Sequence, residues 1–253
     1  MIRTIDSHQI SYEEKKLGKR AVLLCHGITS SKDEGGFYVE MSRILNSQAL
    51  STLRFDFRGH GDSFIPSSSA TIAGMICDLH KVYMYMAENY SNVSVVAASF
   101  GASILLLLMQ KFKMVSLNRL VLLNPVTNFG HTFTEVNTEW SKSFFPNGGI
   151  DGVLRSRTMI RIGTKHTMSP LMAIELFYYE PEKTAYDISV PTLIVHGRKD
   201  NIVPIEDSRA FSENNTTGLI SLKEYEASSH GLEEDREEVI EQISHFLRNG
   251  DLE

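Results

Sequence analysis

The sequence predicts an α/β fold, with a mostly parallel central sheet and helices on both faces. Runs of β-branched and small apolar residues alternate along the chain with segments whose apolar residues recur every three or four positions. This is the pattern of strands alternating with helices. The strand-like runs, such as VSVVAA at 93–98, are apolar almost throughout. Strands that are covered on both faces of a parallel sheet have this composition.

The order of elements follows from the same patterns. Residues 2–6 and 10–15 are predicted to form a hairpin around the turn residues DSH. Further strands are predicted over 21–25, 51–57, 93–98, 119–124, 191–197 and 220–226, and helices over 37–49, 71–90, 101–110, 205–213 and 233–249. We assign residues 1–124 and 189–253 to one core, because strands and helices alternate through both stretches.

Residues 125–188 interrupt this alternation. The segment carries large apolar side chains, among them Phe129, Trp140 and Phe144, so a solvated excursion is disfavoured. We interpret it as a cap inserted above the carboxyl ends of the strands, where reactive groups of such sheets gather. The three aromatic residues are then candidates for substrate contacts. The basic stretch RSRTMIRIGTKH at 155–166 either attracts an acidic part of a substrate or forms a solvated face.

Composition restricts the class of protein. The 253 residues, 42% of them hydrophobic, are enough for one domain with an insertion. A net charge of −6 gives a nucleic-acid partner little electrostatic support. Cys25 and Cys77 lie in apolar runs, as reduced buried thiols do. No apolar run in the sequence is long enough to span a membrane. We therefore expect a soluble cytoplasmic protein, and nothing in the composition indicates a homo-oligomer.

Ser99 is the candidate nucleophile. It lies between the strand-like run VSVVAA and the helix-forming GASILLLLMQ, in the stretch Ala97-Ala98-Ser99-Phe100-Gly101. The nucleophile elbow G-x-S-x-G places a serine in a sharp strand-to-helix turn that needs small flanking residues. Alanine replaces the first glycine here, so the motif alone leaves open whether the serine is catalytic or only a small residue in a packed joint.

The partners of a serine nucleophile are a base and an acid that orients the base. In the fold that carries this elbow the chain order is serine, acid, histidine. Asp200 follows the strand LIVHG by a short loop, and His230 lies in the small-residue loop after the next strand. Ser99, Asp200 and His230 therefore come in the required order, each just beyond the carboxyl end of its own predicted strand.

Other residues compete for these roles. Glu206 and Asp207 are nearby acids, but both are predicted within a helix. The remaining histidines are assigned to packing, turns, the surface or the cap; they are His8, His26, His60, His80, His131, His166, His196 and His245. His230 itself could be a helix-entry residue, so its assignment depends on the order of the three side chains.

Donors to an oxyanion are expected from two backbone N–H groups. One is that of Phe100, directly after the serine. The other is that of Ile28, in the loop CHGITSSKDEGGF after the first parallel strand. His26 in the same loop is a candidate substrate contact, although bracing of the loop is the simpler role for it.

Taken together, these stretches resemble the α/β-hydrolase superfamily over nearly the whole chain, and most closely its branch of cinnamoyl/feruloyl esterases, serine aminopeptidases and monoacylglycerol lipases. The resemblance rests on LLCHGITSSKDEGGFYVEMSRIL, STLRFDFRGHGDS, AASFGAS, PTLIVHGRKDNIVP and SSHGL. It implies an α/β-hydrolase fold with a small cap, a triad of Ser99, Asp200 and His230, and oxyanion donors Ile28 and Phe100. It implies neither a metal nor an organic cofactor.

The resemblance predicts a serine hydrolase that cleaves carboxylic esters with aryl or medium acyl groups. The alanine pair before the serine is also similar to the elbow of bacterial acyl-transferase thioesterases, so a fatty-acyl thioester is the alternative substrate. Acyl transfer to another acceptor uses the same triad and stays open. A non-catalytic binding protein of this fold is disfavoured because all three triad residue types are present.

Overall fold

The fold is described from a computed structural model. It covers residues 1–135, 138–144, 160–162 and 166–249, and for Ser143, Phe144 and Ile160 only the backbone. The strands are β1 (Tyr12–Lys15), β2 (Arg20–Cys25), β3 (Ser51–Phe55), β4 (Asn92–Ala98), β5 (Leu117–Leu123), β6 (Ile160–Ile162), β7 (His166–Met168), β8 (Thr192–Gly197) and β9 (Ile220–Tyr225). The α-helices are α1 (Phe37–Ser47), α2 (Ile72–Asn89), α3 (Phe100–Lys111), α4 (Glu139–Phe144), α5 (Pro170–Glu175), α6 (Ile205–Glu213) and α7 (Arg236–Asn249).

Seven strands form the main sheet in the order β1-β3-β2-β4-β5-β8-β9. β1 is antiparallel to β3, and every other neighbouring pair in this sheet is parallel. The predicted fold class, a mostly parallel sheet between helices, is therefore confirmed. The carboxyl ends of β4, β8 and β9 consequently lie at the same edge of the sheet.

The two faces of the sheet carry separate apolar clusters. Along β2, Leu23 and Cys25 pack in the cluster that contains residues of α2 and α3, whereas Val22 and Leu24 pack in the cluster that contains residues of α1 and α7. Successive strand residues point to opposite faces. A run that is apolar at every position is therefore what a sheet with helices on both sides requires.

The predicted amino-terminal hairpin forms only next to its turn, where the N–H of Thr4 donates to the carbonyl of His8 and that of Ile10 to the carbonyl of Ile2, each at 3.0 Å. Residues 2–6 form no strand; a single bridge joins Arg3 to Gln9, and β1 pairs with β3 instead. Ile2 and Ile10 are almost completely buried in the cluster beside α2. Their apolar side chains therefore contribute to the core without a regular ladder between them.

The segment between β5 and β8 leaves the sheet and returns to the adjacent position, since Leu120 to Leu123 pair in parallel with Thr192 to Val195. Its described part contains a π-helical turn (Gly130–Thr134), α4, the two-stranded sheet of β6 and β7, α5 and a 3₁₀ helix (Pro181–Asp187). Met172 of α5 and Ile188 belong to the main core cluster. The later part of the segment therefore packs directly on the core.

Among the described residues, no helix combines the length and apolar character needed to cross a membrane.

Candidate active site

Ser99 occupies the turn that joins β4 to α3. Its backbone has φ 50° and ψ −119°, a conformation that residues with a side chain rarely adopt. Gly101 permits this turn to pack against the end of β2, because a Cβ there would lie 2.3 Å from the carbonyl oxygen of His26. On the other side, the methyl group of Ala97 is fully buried in the core. The turn therefore accommodates alanine before the serine and requires glycine after it.

His230 lies between Ser99 and Asp200. Its Nε2 is 3.0 Å from Oγ of Ser99, and its Nδ1 is 2.7 Å from Oδ2 of Asp200. The carboxylate accepts a hydrogen bond from Nδ1–H of His230. The lone pair of Nε2 is therefore directed at the serine hydroxyl. The structure thus brings together the three side chains that the sequence selected from three distant positions.

The Asp200 carboxylate is fully buried and held at both oxygens. Oδ1 accepts the backbone N–H groups of Ile202 and Val203 at 2.8 and 2.9 Å, and Nε2 of His196 lies 3.3 Å from Oδ2. Burial by itself would raise the pKa of this carboxyl group, but the hydrogen bonds from His196, His230 and the backbone hold the pKa well below its usual value. Asp200 is therefore ionised at neutral pH.

Asn124 fixes the loop that carries His230, and sequence reasoning missed it. Its side-chain Nδ2 donates to the carbonyl of His230, and its Oδ1 accepts the N–H of Gly197 at 2.9 Å. Gly197 also lets the loop approach β8, since a Cβ there would lie 2.3 Å from the carbonyl oxygen of Ser228. The available signal was an asparagine directly after the strand LVLL, at the reactive edge of the sheet.

The two residues expected to supply oxyanion donors, Ile28 and Phe100, both lie close to the serine in the structure. Phe100 is the first residue of α3, so its N–H has no acceptor within the helix. Ile28 and Ser99 line the same cavity. A Cβ on Gly27, the residue before Ile28, would lie 3.2 Å from Cβ of Ser99. The loop that carries Ile28 therefore passes directly beside the nucleophile candidate.

Two side chains hold this loop. Nδ1 of His26 donates to the carbonyl of Gly27 at 2.8 Å, and Nε2 accepts the N–H of Phe57 at 3.0 Å. Complete burial lowers the pKa of His26 to about 4, so the ring is neutral. Glu34, which sequence reasoning did not single out, accepts the N–H of Gly27 at 2.6 Å through Oε2.

A cavity of about 330 Å³ opens above Ser99. One wall is apolar and aromatic and includes Phe133 and Trp140, whose rings meet edge to face at 5.3 Å. His230 and Glu34 are also part of the lining. A space of this size and character is suited to a small apolar molecule that is anchored by a few polar contacts.

The four candidate substrate contacts do not all reach the cavity. Trp140 lines the cavity, whereas Phe129 is buried behind it and stacks on the ring of Phe100 at 5.6 Å. The structure also contradicts the placement of His26, whose ring is fully buried outside the lining with both nitrogens bonded to the backbone. The side chain of Phe144 lies outside the described residues, as does most of the basic stretch at 155–166.

The competing acid is occupied elsewhere. Oδ1 of Asp207 is 2.6 Å from Nδ1 of His131, a histidine of the segment between β5 and β8. Within the described ranges, no group of three or more His, Cys, Asp or Glu side chains is arranged to hold a metal ion.

A comparison with known protein families identifies the family to which this chain belongs. The family model described as Hydrolase_4, serine aminopeptidase, S33, matches residues 18–237. A search of curated protein sequences gave no match.

Solved structures show the same fold at low sequence identity. The esterase Est1E of Butyrivibrio proteoclasticus with bound ferulic acid is 19% identical, with a TM-score of 0.80 and 98% of each chain covered. The monoacylglycerol lipase of Paleococcus ferrophilus is 17% identical, with a TM-score of 0.72 over 96% of this chain and 100% of the lipase. Mouse α/β-hydrolase domain-containing protein 10 is 15% identical, with a TM-score of 0.74 and 96% of each chain covered.

Proposed function

We propose that this chain, which belongs to the serine aminopeptidase S33 family of hydrolases, cleaves carboxylic esters with Ser99 as its nucleophile. The observation that carries the proposal is the pair of distances that links Ser99 Oγ to His230 Nε2 and His230 Nδ1 to Asp200. A serine hydroxyl is a weak nucleophile unless a base held in one orientation removes its proton. This arrangement supplies that base.

The reaction has two steps. Oγ of Ser99 attacks the acyl carbonyl while Nε2 of His230 takes the hydroxyl proton, and the Asp200 carboxylate stabilises the imidazolium that forms. His230 then gives the proton to the leaving alcohol, which departs and leaves an acyl-enzyme. Water, deprotonated by the same imidazole, attacks this ester and releases the carboxylic acid and the free serine.

The backbone N–H groups of Ile28 and Phe100 stabilise the oxyanion of each tetrahedral intermediate. Loss of one such donor lowers turnover by roughly 100- to 1,000-fold in other acyl-transfer enzymes. The bonds from His26 and Glu34 to the loop of Gly27 support this role for Ile28, because they fix the loop before substrate arrives.

The segment 125–188 acts as a cap that shapes the acyl side of the cavity. Trp140 and Phe133 from this segment form an apolar wall over Ser99, which suits aryl or medium acyl groups. The structurally similar esterase Est1E binds ferulic acid, which is an aryl acid. This likeness supports an aryl or medium acyl ester as the substrate class.

A fatty-acyl thioester is the second candidate. The alanine before the serine turn favours it, because acyl-transferase thioesterases carry a similar alanine pair. Both substrates pass through the same acyl-enzyme, so the leaving group alone separates them.

Covalent labelling tests the proposal. A fluorophosphonate probe labels Ser99 in the folded parent protein, and the label is found by peptide mass spectrometry on the peptide that contains AASFGAS. Ser99→Ala takes no label and loses hydrolysis of 4-nitrophenyl butyrate, while its thermal unfolding matches that of the parent. An unlabelled folded parent, or a Ser99→Ala variant as active as the parent, refutes the assignment.

A further inference from the structure

A carboxylate that holds the loop of Gly27 also lines the catalytic cavity, and its charge takes no part in the chemistry described above. Glu34 belongs to the loop after β2, and its side chain contributes to the cavity wall. Its backbone has φ 45°, in a loop where Gly35 and Gly36 have φ of 60° and 90°. This turn directs the side chain back over Gly27, whose N–H its Oε2 accepts at 2.6 Å.

The carboxylate lies close to the reacting atoms. A Cβ built on Gly27 would be 3.7 Å from Oε1 of Glu34 and 3.2 Å from Cβ of Ser99. Glu34 and Ser99 therefore both lie beside Gly27 in the wall of one cavity. The carboxylate is also close enough to His230 for the two to interact electrostatically.

The other charges around the cavity do not neutralise Glu34. Glu233, after the His230 loop, is a second carboxylate of the lining, and none of the lining residues among those described is Lys or Arg. Arg236, near Gly36, is paired with Glu40 at 2.8 Å and does not line the cavity. The cavity therefore presents negative charge and hydrogen-bond acceptors beside an apolar wall.

We propose that Glu34 selects substrates by charge: it excludes esters and thioesters with an anionic group near the scissile bond and admits neutral or cationic ones. This inference rests on the proposed function and narrows it. Charges a few ångströms apart in a cavity of low effective dielectric interact much more strongly than they do in water. A thiol leaving group with a carboxylate two carbons from the sulfur is therefore a poor substrate, and the thioester alternative is restricted to thiols that are uncharged or cationic near the sulfur.

Three thioesters of one acid test the inference. Butyrylthiocholine, S-butyryl-N-acetylcysteamine and S-butyryl-3-mercaptopropionate carry a cationic, a neutral and an anionic group, respectively, two carbons from the sulfur, and each releases a thiol that is measured in the same way. In Glu34→Gln the amide oxygen can still accept the N–H of Gly27, so the loop is preserved while the charge is removed. Glu237→Gln is the matched control, because Glu237 is an exposed carboxylate of α7 outside the catalytic cavity.

The readout is the ratio of kcat/KM for S-butyryl-3-mercaptopropionate to kcat/KM for the neutral thioester. Glu34→Gln raises this ratio about tenfold or more over the parent and lowers the corresponding ratio for butyrylthiocholine, whereas Glu237→Gln changes both less than about twofold. The effect of Glu34→Gln persists in about 0.5 M salt, where charges on the open surface are largely screened. If Glu34→Gln leaves both ratios unchanged, selection by charge is refuted and the proposed esterase function is not. A parent that leaves the neutral thioester and 4-nitrophenyl butyrate intact refutes the proposed function, and the inference with it.

Discussion

Replacement of Gly101 by alanine tests the packing beneath the serine turn. The new Cβ would lie 2.3 Å from the carbonyl oxygen of His26 and 2.8 Å from that of Cys25, and both are backbone atoms. A comfortable contact is about 3.5 Å, so the first turn of α3 must move away from β2 by about 1 Å. Overpacking of this kind costs roughly 1–3 kcal/mol of unfolding free energy.

The same displacement reaches the catalytic geometry, because Ser99 and Phe100 are the residues directly before Gly101. A misplacement of about 1 Å can lower turnover by about 100-fold. We expect Gly101→Ala to lower kcat on 4-nitrophenyl butyrate by at least about tenfold, and to lower the melting temperature by about 4–8 °C for a loss of about 2 kcal/mol. Thermal unfolding followed by circular dichroism and steady-state kinetics measure the two effects.

Gly18→Ala is the matched control. A Cβ at Gly18 meets only the carbonyl oxygen of Ala49 at 3.6 Å, which is an ordinary contact. We expect parental activity and a melting temperature within about 2 °C of the parent, since alanine also reduces the entropy of the unfolded chain. A Gly101→Ala protein with parental stability and turnover would show that the close approach of α3 to β2 does not hold the serine turn.

Three other side chains give predictions of their own. Asp200→Asn lowers kcat by about 1,000- to 10,000-fold with little change in KM. Asp207→Asn, which alters a neighbouring acid, changes kcat less than about threefold. Comparable losses in both variants would contradict the choice of Asp200 as the triad acid. Asp78→Asn lowers the unfolding free energy in urea by about 3 kcal/mol, because it leaves the buried guanidinium of Arg58, 2.7 Å away, without its main counter-charge; a loss under about 1 kcal/mol contradicts this. Burial raises the pKa of Glu34 to about 6, so the native protein loses stability as pH rises through that value. Glu34→Gln removes this loss. The free energy of unfolding of the variant minus that of the parent is therefore about 1–2 kcal/mol larger at pH 8 than at pH 4.5. An equal difference at both pH values refutes the linkage.

The sequence predicted the elements that long periodic runs specify. Helix 205–213 matches α6 residue for residue, and each strand predicted after residue 20 agrees with the structure within two residues at each end, whereas β6 and β7 were not predicted. Ser99, Asp200 and His230 could be selected because each follows a strand, and parallel strands end at one edge. The hairpin could not be assigned correctly, because its alternating pattern is equally compatible with pairing to β3.

Residues that act through turns were harder to find. Asn124 and Glu34 each depend on a positive φ, 41° and 45°, that no periodicity encodes. The side chain of Asn124 bonds to backbone groups of His230 and Gly197, far away in the chain, and these contacts exist only once the sheet has brought the loops together. The side chain of Glu34 bonds to Gly27 within its own loop, and this contact depends on how that loop folds back. A polar residue just beyond a buried strand is a signal that more is present, but it does not identify the partner.

The direct pairing of β5 with β8 leaves the intervening segment outside the register of the main sheet. Asn124 donates its N–H to the carbonyl of Val195 at 2.8 Å, and Leu120 donates to that of Pro191 at 3.0 Å. Main-chain bonds at both junctions are insensitive to which side chains lie between them, and lengthening a loop adds only slowly to its closure entropy. We therefore expect that a transplanted segment which keeps the core contacts of Met172 and Ile188 alters which acyl groups are accepted, while the register of the sheet and the position of Ser99 at its edge are preserved.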